Sequence, residues 1–383
     1  MTPSVEPVLD VPWAQLRRRT SMKWRRFGPD VLPMWVAEMD VHLAEPVVRA
    51  VVDAIALGDT GYPEGRPYPE ALARFAADRW GWTLNPEQGV TVPDVTAGIG
   101  EVLKAVTRRG DAVVVNPPVY TPFFQLIENI ERRVVPVPLG SGHRLDLPAL
   151  DAAFRAATGT GGTAAYLLCS PHNPTGTAHT RDELAAVAEL AGRHRVRVVV
   201  DEVHAPLMYP GQPHVPYLSL PGSDEAFAVL SASKAWNLVA FKAAVVVAGP
   251  RAVADLGRIP EQVREAASHL GVIAHSAALD HGRDWLDNLL ADLDGNRRLL
   301  GELLAEHLPA IAHHPPQATY LAWLDCHALD LADDPARIFL DRGRVALSSG
   351  PEYGPGGEGH ARLNFATSPQ LLAEGVRRMA ASL

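Results

Sequence analysis

The chain has 383 residues, of which 47% are hydrophobic and 21% are charged. A single hydrophobic core stops growing near about 250–300 residues, so this length predicts two domains. The balance of apolar and charged residues excludes a mainly disordered protein. Because the formal net charge is -9, no basic surface is expected that could neutralise a phosphate backbone, and no nucleic-acid partner is expected.

The cysteines and the N-terminus bear on location. Two cysteines, Cys169 and Cys326, form neither a disulfide framework nor a zinc-binding pattern, which is typical of a reducing compartment. The first 20 residues contain acidic residues and prolines where a signal peptide has an apolar stretch. No apolar run approaches the roughly 20 residues of a membrane span. The sequence therefore predicts a cytoplasmic protein without a membrane partner.

The middle of the chain reads as an α/β structure. From about residue 90 to 250, helical stretches alternate with short apolar runs, and Thr180 and Glu183 form a capping-box pattern at one helix start. Continuous apolar runs are typical of strands that are buried on both faces of a parallel sheet. We therefore predict an α/β fold with a largely parallel sheet, with strands at 112–115, 164–168, 196–200, 227–230 and 243–248.

The C-terminal part has a different pattern. A helix is predicted at 285–307, a strand at 319–324, a further helix, and a strand at 362–366. The first 45 residues are too irregular and proline-rich to form a domain alone. We predict a large domain at 47–284 and a smaller α+β domain composed of 1–46 and 285–383.

Three predicted strands are followed by polar side chains at one edge of the sheet, where open α/β sheets bind ligands. These side chains are Asn173, Asp201 and Lys234. Taken singly, they have ordinary interpretations: a turn-former, a helix cap or buried ion pair, and a surface lysine. Taken together, a lysine, a carboxylate and an amide are what pyridoxal 5'-phosphate (PLP) requires, namely a Schiff-base partner, a partner for the pyridine nitrogen and a hydrogen-bond donor to the phenolic oxygen.

Lysine is rare in this chain. Only Lys23, Lys104, Lys234 and Lys242 occur among its 35 basic residues. Arginine can replace lysine in most surface ion pairs, whereas only lysine provides a primary amine that loses its proton and attacks a carbonyl. Lys234 and Lys242 are therefore functional candidates, while Lys23 and Lys104, which lie beside arginines or on a helical face, are interpreted as lysines that remain by chance.

The cofactor phosphate is expected at a helix N-terminus beside a cation. The run Val95-Thr-Ala-Gly-Ile-Gly-Glu101 opens a predicted helix and offers such backbone amides, although a plain helix start has the same pattern. The predicted phosphate ligands are Gly98, Ile99, Gly100, Ser231, Ser233 and Lys242.

Several motifs together resemble a known family. They are Ser-Pro-His-Asn-Pro-Thr-Gly at 170–176, Asp-Glu-Val-His at 201–204 and Ser-Ala-Ser-Lys-Ala-Trp-Asn at 231–237. They are similar to those of the fold type I PLP-dependent enzymes of aminotransferase classes I and II. The runs 23–40, 117–123 and 318–324 further resemble the MalY/PatB-type cystathionine β-lyases, or C-S lyases.

The resemblance implies a role for each matching residue. Around the cofactor, Lys234 would form the Schiff base, Asp201 would contact the pyridine nitrogen, and Tyr120 would stack on the ring. Asn173 and His204 would lie near the phenolic oxygen.

Two further residues would act at the edges of this site. Arg362 would bind the substrate α-carboxylate, aided by the backbone near Val36 and Ala37. Tyr62 would reach the phosphate of a neighbouring subunit, which implies a homodimer with shared active sites.

The resemblance also implies an activity. An L-cysteine S-conjugate such as L-cystathionine would undergo α,β-elimination to pyruvate, ammonia and a thiol. Lys234 would remove the Cα proton, and either Tyr120 or Lys234 would protonate the leaving sulfur. The scattered histidines, including His313 and His314, lack metal-ligand spacing, so no metal is expected.

Other functions remain open at this stage. An aminotransferase uses the same lysine, aspartate and arginine, and a PLP-binding regulatory protein would need only an exposed surface for its partner. A dinucleotide-binding oxidoreductase is disfavoured because no G-x-G-x-x-G motif lies between a strand and a helix.

Overall fold

The secondary structure follows the predicted alternation of helices and strands. The computed structural model describes residues 7–159 and 161–383. The helices are α1 (Trp13–Leu16), α2 (Met22–Arg25), α3 (Glu45–Leu57), α4 (Pro67–Trp80), α5 (Val95–Val106), α6 (Pro122–Asn129), α7 (Leu147–Thr158), α8 (Arg181–His194), α9 (Glu261–Glu265), α10 (His269–His281), α11 (Arg283–His307), α12 (Pro335–Asp341) and α13 (Pro369–Ala381). The strands are β1 (Leu32–Pro33), β2 (Gly89–Val92), β3 (Ala112–Val115), β4 (Arg133–Pro136), β5 (Ala164–Cys169), β6 (Arg197–Asp201), β7 (Phe227–Leu230), β8 (Ala244–Ala248), β9 (Ala312–His313), β10 (Leu321–Asp325), β11 (Val345–Ala346), β12 (Ser348–Ser349) and β13 (His360–Asn364).

A seven-stranded central sheet has the strand order β2-β8-β7-β6-β5-β3-β4. Strands β7, β6, β5, β3 and β4 are parallel to one another, and β8 is antiparallel to both β2 and β7. Along β3, Val113 and Val115 pack into one apolar cluster and Ala112 and Val114 into another, as expected when helices cover both faces. The predicted α/β fold with a largely parallel sheet is confirmed.

Two strands of this sheet were not predicted, and both lie at its edges. The two end residues of β4 are exposed and its two middle residues are half-buried, and half of β2 is only partly buried. An edge strand is covered on fewer sides, so it does not need the continuous apolar run that marks the central strands.

Helix α8 begins with the predicted capping box, in which the Thr180 hydroxyl accepts from Glu183 N at 3.2 Å and Thr180 N donates to the Glu183 carboxylate at 2.8 Å.

The C-terminal region forms a small antiparallel sheet in the order β12-β13-β10-β9. Strand β10 begins at Leu321 rather than at the predicted Thr319, whose positive φ of 69° departs from extended backbone. The N-terminal segment joins this region, because β1 pairs with β11 in a separate two-stranded sheet. The division into domains 47–284 and 1–46 with 285–383 stays a prediction. Within the described ranges, no helix is long and apolar enough to cross a bilayer.

Candidate active site

The carboxyl ends of three adjacent strands, β5, β6 and β7, bring the predicted polar groups to one edge of the central sheet. Asp201 ends β6, while Asn173 and Lys234 lie in the turns that follow β5 and β7. Asp201 and Asn173 are both buried, and Lys234 is partly buried. The ends of parallel strands meet at the same edge, so residues distant in sequence surround one cleft.

Asp201 is a buried carboxyl group with few neighbouring groups that stabilise its ionised form. Its Oδ1 accepts a hydrogen bond from Val203 N at 3.0 Å. Burial raises the pKa of Asp201 to about 7, although the Val203 bond and the charge of Lys234 act in the opposite direction. A cationic N–H group beside this carboxyl would hold it ionised. The protonated pyridine nitrogen of PLP is such a group, so Asp201 fits the cofactor.

Lys234 has the electrostatics of a reactive amine. Its Nζ donates to the Ala37 carbonyl at 3.1 Å. Burial, followed by the charge of Arg362, lowers the pKa of Lys234 to about 8, although the charges of Asp201 and Glu38 act in the opposite direction. An amine with this pKa is partly unprotonated near neutral pH, as a nucleophile and base must be.

The turn that carries Lys234 is held by two residues that the sequence did not reveal. The Tyr68 hydroxyl accepts from Ala232 N at 2.9 Å and lies 2.9 Å from His275 Nδ1. Both side chains are buried, and burial lowers the pKa of His275 to about 4. These contacts hold the backbone just before Lys234 in one conformation. The Lys234 amine is therefore positioned at the cleft by the fold.

Arg362 reaches the same cleft from the small sheet. It lies on β13, opposite Trp323 of β10 and Ser348 of β12. Its Nη1 donates to Asn173 Oδ1 at 3.0 Å and its Nη2 to the Trp35 carbonyl at 2.7 Å. The guanidinium is buried, and no carboxylate of the described ranges pairs with it. A buried cation without a counter-ion fits an anionic substrate group such as an α-carboxylate.

Segment 35–39 forms a wall of the cleft through its backbone. The Val36 carbonyl accepts from Asn364 Nδ2 at 2.7 Å, and the Ala37 carbonyl accepts from the Tyr320 hydroxyl at 3.1 Å. Asn237 Oδ1 accepts from Met39 N at 2.9 Å. Within the described ranges, the amides of Val36 and Ala37 have no acceptor, so they remain available to a substrate carboxylate beside Arg362.

A buried ion pair supports this segment from behind. Lys23 Nζ lies 2.8 Å from Asp40 Oδ1 and donates to the Glu38 carbonyl at 3.1 Å, and both side chains are almost completely buried. Lys23, interpreted from the sequence as a lysine that remains by chance, therefore has a structural role in a buried ion pair. The reason is that α2, which is only four residues long, packs its Lys23 side against segment 35–39 instead of against water.

Replacing Lys23 by methionine is expected to destabilise the protein. The substitution keeps the apolar stem and leaves the Asp40 carboxylate buried without a partner, at a cost of about 3–5 kcal/mol. Urea unfolding monitored by circular dichroism measures this change. The double variant Lys23→Met/Asp40→Leu removes both charges and is expected to recover most of the lost stability. Equal stability of Lys23→Met and the wild type would contradict the proposed role of the Lys23–Asp40 pair in stabilising segment 35–39.

Tyr120 and His204 are placed at the cleft as neutral groups. Burial, followed by the charge of Asp201, raises the pKa of Tyr120 to about 12. Burial, followed by the charges of Lys234 and Arg362, lowers the pKa of His204 to about 3, and its Nδ1 is buried without a hydrogen-bond partner within the described ranges. An unpaired ring nitrogen in a buried position is available to a bound group. By contrast, Tyr62 is 85% exposed and does not enter the site of its own chain.

The predicted phosphate ligands Gly98, Ile99 and Gly100 are contradicted by the helix geometry. Helix α5 begins at Val95, so Gly98 N already donates to the Asp94 carbonyl at 3.0 Å and the next two amides lie deeper in the helix. Both glycines instead let side chains of neighbouring elements pack closely against α5. A Cβ at Gly98 would lie 2.9 Å from Val246 Cγ2, and a Cβ at Gly100 would lie 3.0 Å from a side-chain methyl of α6.

The N-terminus of α5 still offers free backbone amides one turn earlier. The amides of Val95 and Thr96 have no acceptor within the described ranges, as is usual for the first turn of a helix. Lys242 Nζ lies 3.0 Å from Asp94 Oδ2 at this end of the helix. A cation and free amides therefore occur together, which suits a phosphate.

The two serines of the Lys234 turn differ in how free their hydroxyl groups are to bind a phosphate. The Ser231 hydroxyl donates to the Ala243 carbonyl at 2.8 Å and accepts from Ser233 N at 3.1 Å. Ser231 is buried, whereas Ser233 is partly exposed. Ser233 is thus the serine with the more available hydroxyl, while Ser231 also stabilises the turn.

Comparisons with known proteins agree with this geometry. The family described as Aminotransferase class I and II matches residues 44–379. A Mycobacterium tuberculosis protein named "Putative cystathionine beta-lyase" is 54% identical over 98% of this chain and 98% of its own length. The cystathionine beta-lyase PatB of Bacillus subtilis is 34% identical over 95% of this chain and 96% of its own. The PLP-bound C-S lyase from Staphylococcus hominis superimposes with a TM-score of 0.88 and 25% identity, covering 96% of each chain.

These matches span nearly the whole chain and include a protein of the kind that the sequence motifs resemble. The superposition confirms the predicted fold type I architecture. The chain therefore belongs to the aminotransferase class I and II family and, within it, to the group that contains PatB.

Proposed function

We propose that this protein is a PLP-dependent carbon–sulfur β-lyase that converts L-cystathionine or another L-cysteine S-conjugate into pyruvate, ammonia and a thiol. The observation that carries the proposal is the convergence of Asp201, Lys234 and Arg362 on one cleft, each buried or partly buried and each lacking the partner that PLP or an amino acid would provide. The high similarity to proteins named cystathionine beta-lyase supports elimination as the reaction.

The residues around the cofactor divide into four groups, one for each part of PLP that they would contact. Asp201 would bind the pyridine nitrogen, Asn173 and His204 would lie at the phenolic oxygen, and Tyr120 would pack on the ring. The Val95 and Thr96 amides, with Lys242, Ser231 and Ser233, would hold the phosphate. When bound in this way, PLP withdraws electrons from the substrate Cα.

The chain's own residues then position the substrate and move its protons. Arg362 and the amides of Val36 and Ala37 bind the α-carboxylate and orient the substrate. Lys234 Nζ accepts the Cα proton, because its lowered pKa leaves the amine partly unprotonated. The leaving sulfur takes a proton from Lys234 Nζ or from the Tyr120 hydroxyl, which burial keeps protonated at neutral pH.

Product analysis separates this lyase from its main alternative. Purified holoenzyme is incubated with L-cystathionine and a panel of cysteine S-conjugates, without any keto acid, and pyruvate, ammonia and free thiol are measured. We expect equimolar release of all three. An aminotransferase would instead require a keto-acid acceptor and would form a new amino acid, and this outcome would contradict the proposal. A PLP-binding regulatory protein would release no product from any member of the panel.

The protein is further proposed to act as a homodimer with shared active sites. Val48, Val52 and Ile55 form an exposed apolar stripe at helical spacing along α3, and the exposed Leu57 and Tyr62 continue it. A second copy packed on this stripe would cover it and bring Tyr62 to the phosphate of the neighbouring chain. We also propose a cytoplasmic location, supported by two cysteines that are both buried and free.

Disrupting this stripe is expected to separate the subunits. Val52→Asp places a charge in the proposed interface, and light scattering after size-exclusion chromatography should show a change from dimer to monomer together with lost activity. Leu383→Asp, at an exposed apolar residue outside α3, is the matched control and should remain dimeric. A monomeric wild type, or an unchanged mass for Val52→Asp, would contradict the homodimer.

A further inference from the structure

Two histidines and an aspartate meet at the edge of the small sheet, outside the site described above. One ligand atom from each of Asp325, His327 and His360 lies within 4.8 Å of the others. The sequence did not predict this cluster because His360 is distant from Asp325 along the chain. The antiparallel pairing of β10 with β13 makes Asp325 and His360 direct cross-strand partners.

The ring of His360 is oriented before any ligand arrives. Its Nδ1 lies 2.8 Å from the Glu358 carbonyl, so the proton is on Nδ1 and the lone pair of Nε2 is free. The ring also stacks on Trp323 with a centroid distance of 5.0 Å and an interplanar angle of 9°. A histidine whose other ring nitrogen donates to a carbonyl is the usual arrangement in metal sites.

The position of His327 depends on a glycine. Gly359 has a φ of +67°, and a Cβ at this position would lie 2.5 Å from His327 Nε2. The absence of a side chain therefore lets the His327 ring lie against the strand beside His360. Its Nδ1 is 2.7 Å from Asp325 Oδ1, and its backbone amide donates to the same oxygen at 3.0 Å.

From this geometry we propose that Asp325, His327 and His360 form a binding site for a divalent transition-metal ion of the Zn²⁺ class. Two imidazole nitrogens and one carboxylate favour Zn²⁺, Co²⁺ or Ni²⁺ over Mg²⁺ and Ca²⁺, which prefer oxygen ligands. The ion would replace the hydrogen bond between Asp325 and His327 and draw in His360 Nε2. Three protein ligands leave at least one coordination position open to solvent or to a bound molecule.

The proposed ion lies on the same face of the small sheet as the substrate site. His360 and Arg362 are two residues apart on β13, so their side chains point to the same face about 7 Å apart along the strand. Trp323 stacks on His360 and contacts Tyr353, over whose ring the Arg362 guanidinium lies at 5.2 Å. The proposed ion would therefore lie near the Arg362 end of the cleft.

Cobalt and zinc titrations of the holoenzyme test the site. Co²⁺ binding is followed through its visible d–d absorption, and Zn²⁺ competition gives the zinc affinity and stoichiometry. We expect one Zn²⁺ per chain, with affinity at least about 10-fold weaker in His360→Gln and in Asp325→Asn. His281→Gln, at an exposed histidine outside the cluster, is the matched control and should bind as the wild type does.

Asp325, His360 and His281 lie outside the proposed PLP site, so we expect every variant to bind PLP. Weak chelation of the metal by the cofactor would then be equal in all of them and would not produce the expected difference. The PLP absorption and circular dichroism of each variant show that it is folded. Equal zinc affinity in the wild type and both ligand variants, or no saturable binding by the wild type, would overturn the metal site. Neither result bears on the proposed lyase activity, which is measured separately by pyruvate release.

Discussion

Lys234→Ala is expected to lower the rate of pyruvate formation by roughly 10⁴-fold or more, because the variant loses both the amine that binds the cofactor and the base that accepts the Cα proton. Steady-state pyruvate release from L-cystathionine measures this loss. Added methylamine should restore part of the activity, since a small amine can enter the space left by the side chain and accept the proton.

Lys104→Ala is the matched control. Lys104 is an exposed lysine that pairs with Glu101 on the surface of α5, and its loss should leave the rate unchanged. The Lys234 role would be contradicted if Lys234→Ala retained activity close to that of the wild type. A regulatory protein, in contrast, could keep its effect on a partner in Lys234→Ala.

Asp201→Asn is expected to lower turnover by about a hundredfold to several thousandfold. The variant replaces an anion beside the pyridine nitrogen by a neutral amide, and breaking a buried charge pair costs about 3–5 kcal/mol. The same change should weaken PLP binding, which is measured by absorbance titration of the unbound protein. Wild-type turnover in Asp201→Asn would contradict the assignment of this carboxylate.

Stability measurements distinguish this role from a purely structural one. In the protein without PLP, burial raises the pKa of Asp201 from 3.8 to about 7, so the folded state holds its proton more tightly than the unfolded state does. The contribution of Asp201 is therefore fully present below pH 3.8 and is lost as the pH rises towards about 7. Asp201→Asn removes this pH dependence and should be no less stable than the wild type at neutral pH.

The sequence predicted the parts of the fold that depend on local pattern. The central strands β3, β5, β6, β7 and β8 are continuous apolar runs because helices cover both sheet faces, and these were identified within one or two residues. The edge strands β2 and β4 were missed because partial exposure removes that pattern. The start of α5 was placed correctly at Val95, but the amides chosen as phosphate ligands lie one turn deeper, where the helix already uses them, so these ligands were partly wrong.

The active-site residues also divide into those that the sequence pattern predicts and those that it does not. Asp201 and Lys234 could be found because the ends of parallel strands necessarily meet, whereas Arg362 lies on a separate sheet and only the family resemblance identified it. Tyr68, His275 and the Lys23–Asp40 pair act through tertiary contacts with the backbone of other segments. No spacing in the sequence marks such contacts, and the cluster of Asp325 with His360 was missed for the same reason.

The central claim is that Lys234 is the residue that binds PLP covalently. Borohydride reduction of the purified holoenzyme, followed by proteolysis and mass spectrometry, tests it directly because reduction makes the linkage permanent. The account predicts a single pyridoxyl-modified peptide, with the modification on Lys234. A modification on Lys23, Lys104 or Lys242, or no modified peptide at all, would contradict it.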